Sequence, residues 1–157
     1  MSEVYEYRVV KCPYKIAREY LEEDVKERAR TQAPETLTLR VPLAGAGVTK
    51  NVIVTFAPAT DPMHFDQPWA LRWTPEGGGP YPDFEGELTV RADEDYITSI
   101  LELRGSYLPP GGILGAAFDR TLGAKIASAT ARSLLADLAS RMEERHARDE
   151  RLKHQEA

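Results

Sequence analysis

Apolar and polar residues alternate through the middle of the chain, and a helical period takes over on either side. The opening stretch "EVYEYRVVK", residues 3–11, is rich in Val and Tyr and predicts a first strand. Pro13 then stands where a first helical turn loses nothing from a missing N–H. Ile16, Ala17, Tyr20, Leu21 and Val25 recur at helical spacing, with Glu22 and Lys26 placed as a favourable i,i+4 pair. The pattern leaves open one helix or two short ones, and Pro34 closes the region.

Five further strands follow by the same reasoning. Leu37, Leu39, Val41 and Leu43 alternate with Thr36, Thr38 and Arg40; after the turn "AGAG", Val52, Val54 and Phe56 share one face. A loop with three prolines spans residues 57–68. Next, Trp69, Leu71 and Trp73 fall together opposite Arg72, and Phe84, Gly86, Leu88 and Val90 alternate with Glu85, Glu87 and Thr89. After the turn "ADED", the last strand sets Ile97, Ser99, Leu101, Leu103, Gly105 and Tyr107 against Thr98, Glu102 and Arg104. Such regular alternation predicts antiparallel strands with one face on a core and one in water.

From Ile113 the period becomes helical. Leu114, Phe118, Leu122, Ile126, Leu134, Leu138 and Met142 line one broad side, and no Gly or Pro after Gly123 breaks the run. Residues 146–157 lose the apolar stripe and predict a charged, fraying tail, in which pairs such as Arg145–Asp149 extend a solvated helix. Between the last strand and this helix, Pro109 and Pro110 remove ladder donors, and Gly111, Gly112 and Gly115 let the chain swing onto the sheet.

Composition narrows the function. A 157-residue chain buries roughly two-thirds of its unfolded surface, so one domain needs neither metal nor disulfide for its core. The net charge of -5 speaks against nucleic acid, whose phosphates need a surplus of Lys and Arg. The single cysteine, Cys12, has no disulfide partner and points to a cytoplasmic protein. No apolar run near the N-terminus reads as a signal peptide, and none reaches the ~20 residues that span a bilayer, so stable membrane insertion is not expected.

The order strand, helix, five antiparallel strands, long helix predicts an α+β domain in which an apolar sheet face and one helix bury each other. With "CPYKIAREYL", "LELRGSYLPPGG" and "AFDRTLGAKIASATARSLLADLASRME" in those places, the chain resembles the START-like superfamily (Bet v 1-like, SRPBCC), in particular its small bacterial polyketide cyclase/dehydrase-type members. The resemblance implies a helix-grip fold over residues 1–145, with a curved antiparallel sheet of six or seven strands wrapped around the C-terminal helix. It also implies an apolar cavity between sheet and helix. The chain departs from fuller members in its strand number and in lacking an aromatic residue in "KERARTQAPETL".

Candidate ligand contacts are the inward residues Trp69, Trp73, Ser99, Leu101, Leu103 and Tyr107, with Phe118, Leu122 and Ile126 on the helix. Small residues such as Ala127, Ala129 and Ala131 either pack closely against the sheet or leave room for a ligand. Apolar walls with few polar groups suit a lipid, sterol, quinone or polyketide type of molecule, bound without a cofactor. Glu87, Glu102, Arg72 and Arg104 fall on the outer face, so the walls offer almost no acid–base group and no catalytic residue is assigned. His64, beside Asp61 and Asp66, lacks the convergent partners a metal requires, and the remaining histidines lie in the tail. Two other readings stay open: a cyclase/aromatase-like enzyme using Tyr107, Ser99 and His64, and an interaction module docking a protein partner through the acidic surface or the tail.

Overall fold

The computed structural model describes residues 2–31, 35–43, 46–58, 69–77, 82–108 and 120–156. The expected element order is present: β1 (Ser2–Val10), α1 (Tyr14–Thr31), β2 (Glu35–Leu43), β3 (Ala46–Pro58), β4 (Trp69–Pro75), β5 (Asp83–Ala92), β6 (Ser99–Leu108) and α2 (Arg120–Glu156). The loop residues 59–68, the glycine-rich turn beyond Gly77, and the segment 109–119 with Pro109, Gly111 and Phe118 lie outside the described residues. Side chains of β2, among them Leu37 and Leu39, lie outside them as well.

All pairings are antiparallel, in the order β1-β6-β5-β4-β3-β2. Strands β2 to β6 form a meander, and α1 carries the chain from one sheet edge to the other. α1 is one helix; the Ala17 N–H donates to the Pro13 carbonyl at 2.8 Å, placing Pro13 at its start as expected.

The sheet packs against α2. Both edge strands, β1 and β2, approach this helix, as does β6. α1 closes the same side of the sheet, packing on β3, β5 and β6.

The core lies between these layers. From β3 to β6, Val52, Val54, Leu71, Trp73, Phe84, Leu88, Leu101, Leu103 and Tyr107 are buried, as their alternation predicts. α2 answers with Ile126, Ala127, Ala131, Leu134, Leu135, Leu138, Ala139 and Met142, recurring every three to four residues. Thr130 is buried within this stripe and donates its hydroxyl to the Ile126 carbonyl at 2.7 Å, so it brings no unpaired polar group into the core.

Three expectations are corrected. Ile97, read as an inward strand residue, is 68 % exposed. Strand β6 begins only at Ser99 because Asp93 and Asp95 capture Thr98: its hydroxyl donates to Asp93 Oδ2 at 2.9 Å, and its N–H donates to Asp95 Oδ1 at 3.2 Å. Tyr96 completes the turn with φ of 58°. Second, the helix runs on beyond 146, and α2 is helical through Glu156. Third, Arg145 and Asp149 do not pair with each other to extend a solvated helix. Arg145 pairs with Glu23 of α1 and lies 4.3 Å from the Tyr20 ring centre, while Asp149 accepts the Tyr20 hydroxyl.

Candidate functional site

The register of the strands divides the inner face into two ends. At one end, Trp73 stands between Val54 and Phe84, and Tyr107 follows Phe84 on the next strand. The Trp73 and Phe84 rings stack at 4.1 Å with 13° between planes, and the indole N–H donates to the Pro82 carbonyl at 3.1 Å. Gly86 and Gly105 face each other beside them. A Cβ on either glycine would come within 2.6 Å of Phe84 Cζ and would strike backbone of the opposite strand. The missing side chains therefore seat the aromatic stack. Leu71, Trp73, Leu88, Leu101 and Leu103 are fully buried.

The other end is less tightly closed. Phe56, beside Leu71, Trp69, beside Leu88, and Val90, beside Leu101, are only partly buried against the core. One step further, Ser99 sits between Ala92 and Val10, where β1 hands the chain to α1. Ser99 is fully buried, and its hydroxyl has no hydrogen-bond partner among the described residues. A buried hydroxyl left unpaired costs about 1–3 kcal/mol, which apolar neighbours do not return.

The sequence-derived contacts thus separate. Trp69 and Ser99 belong to the open end. Trp73, Leu101, Leu103, Tyr107 and, from α2, Ile126 form the packed wall. Leu122 lies on α2 and its side chain is outside the described residues, as is the whole of Phe118. Sequence reasoning placed Phe56 and Val90 on inward faces but not at a site; Phe56 lies in the Gly86 row, one row before Trp69 and two before Val90. His64, Asp61 and Asp66 lie outside the described residues.

Charge is concentrated on the opposite face. Arg72 faces Glu85 at 3.6 Å, and Arg91 holds Glu102 at 2.5 Å. Arg104 lies 5.0 Å from the Tyr5 ring centre, and the Tyr5 hydroxyl donates to Glu102 at 3.0 Å. Burial works to raise the pKa of Glu102, but the Arg91 and Tyr5 hydrogen bonds outweigh it and hold the carboxyl below its ordinary value. Near the open end, burial and the Glu143 carboxylate push the Cys12 thiol up to about 11. Glu143 also accepts the backbone N–H of Lys11 at 3.0 Å, tying α2 to the end of β1.

Among the described residues no three His, Cys, Asp or Glu side chains are gathered as metal ligands, and no helix is long and apolar enough to cross a membrane. No protein-family model matches the chain, and no curated protein matches it in sequence.

Proposed function

We propose that the protein is a helix-grip domain of the START-like kind that binds or carries a small hydrophobic molecule of lipid, sterol, quinone or polyketide type. The observation that carries this reading is the inner face itself: apolar walls on which Phe56, Trp69 and Val90 stay partly exposed on successive rows, and a buried hydroxyl, Ser99 Oγ, with no partner among the described residues. A hydrophobic ligand fits that arrangement with its apolar body against the partly buried Trp69 and Val90, on neighbouring strands, and Phe56 one row back. Trp73, Leu101, Leu103, Tyr107 and Ile126 form the rigid wall behind it. Burial at about 25 cal/mol per Å² holds such a ligand without an ion pair.

Thermal unfolding against a panel of fatty acids, sterols, quinones and aromatic polyketides tests the reading. A ligand at about 100 times its Kd adds about 2.7 kcal/mol and raises Tm by several degrees. The rise should shrink in Trp69→Ala for every ligand that binds. A flat Tm across the whole panel contradicts the proposal.

A further inference from the structure

We infer that two copies of the chain associate through β1, continuing the sheet across a two-fold axis at Tyr7. This inference is independent of the ligand reading. β1 is an edge strand, and among the described residues one of its sides has no strand neighbour. Its inward residues Val4 and Val10 are buried on the side that α2 covers, yet its outward residues Tyr5, Tyr7 and Val9 remain 46 %, 59 % and 47 % exposed. A long edge strand with an apolar outer row is a template for pairing unless something blocks it.

The sequence of β1 decides which partner fits. In an antiparallel pair about a two-fold axis, directly opposite residues share a face, so a residue pairs only with one an even number of positions away, or with itself. Centring on Tyr7 places Glu6 opposite Arg8 of the second copy and brings Glu3 to the strand end that its Lys11, the first residue past Val10, follows. Both opposite-charge pairs occur twice in the dimer. Tyr5 then meets Val9 on either side of a central Tyr7 pair, giving the outer face an apolar strip closed at each end by an ion pair. Centring on Glu6 or Arg8 instead puts like charges face to face, and centring on Tyr5 or Val9 leaves Arg8 against a small polar or apolar residue. Among the described residues Glu3, Arg8 and the Lys11 side chain take part in no ion pair, while Glu6 meets Arg132 at 3.5 Å and sits between it and the incoming Arg8. The partner this edge fits is its own copy.

Sedimentation equilibrium on the full chain tests the inference, with circular dichroism as the check of folding. The wild type should sediment at twice 17.5 kDa. Glu3→Lys and Lys11→Glu each turn both end pairs into repulsions and should weaken association by on the order of 10-fold or more, leaving the fold intact. Mixed in equal amounts, the two variants regain opposite charges at both ends and should form a heterodimer. Tyr7→Cys should cross-link to its own copy on mild oxidation, since the native Cys12 is buried. A wild type that stays monomeric at high concentration overturns the inference. So does a dimer that neither charge variant weakens and Tyr7→Cys does not cross-link.

Discussion

Gly86 and Gly105 stand opposite each other on neighbouring strands, with the Phe84 ring folded over both. The pair removes two side chains from the middle of the sheet so that Phe84 can lie flat and stack on Trp73. Gly105→Ala should therefore destabilise the fold by about 1–3 kcal/mol, because the new methyl meets backbone that cannot yield. Urea denaturation of the variant checks this. An unchanged midpoint would show that the strands part without cost.

The two tryptophans should answer differently to the same change. Trp73→Phe loses indole volume from a closed core and leaves the Pro82 carbonyl without its donor, costing about 2 kcal/mol. Trp69→Phe, at the partly exposed end, should cost under about 1 kcal/mol. Equal losses in a denaturation series would contradict the division of the inner face into a packed and an open end.

Tyr20 and Asp149 fasten the far end of α2 to α1. Tyr20→Phe should lower stability by about 1 kcal/mol and raise hydrogen exchange in the last turns of α2, leaving residues 126–139 protected. Exchange that rises equally along the whole helix would mean the contact holds nothing locally.

Alkaline pH should weaken the fold. Cys12 is raised from its ordinary 9.0 to about 11, and burial followed by the hydrogen bond to Asp149 raises Tyr20 in the same direction. Between pH 9 and 11 the unfolded thiol loses its proton before the native one, so the stability held below pH 9 is lost as pH rises through that window. Cys12→Ala should flatten the fall between those values, leaving the Tyr20 contribution at higher pH. At about pH 8 the native thiol should react with iodoacetamide roughly 100-fold more slowly than an unfolded one, following its thiolate fraction. Native reactivity equal to that of the denatured chain would contradict the burial.

Much of this architecture is legible in the alternation of residues. The Trp69, Leu71, Trp73 row and the Phe84, Leu88 row show their faces because a period of two survives any choice of neighbours. Ile97 misleads for a local reason, since two aspartates on its N-terminal side offer Thr98 better partners than a strand does. The tail misleads for a distant one: Arg145 and Asp149 have the spacing of a solvated pair, but Glu23 and Tyr20, more than a hundred residues earlier, take them instead. The open end of the inner face is hidden in the same way. Phe56, Trp69, Val90 and Ser99 come from four strands, and only the register of the folded sheet sets them on successive rows away from the Trp73 stack.

The most direct test of a hydrophobic-ligand domain is native mass spectrometry of freshly purified protein, followed by organic extraction and identification of what it releases. A stoichiometric apolar adduct, diminished in Trp69→Ala, is the predicted result. A clean apo mass, persisting after incubation with the ligand panel, would contradict it.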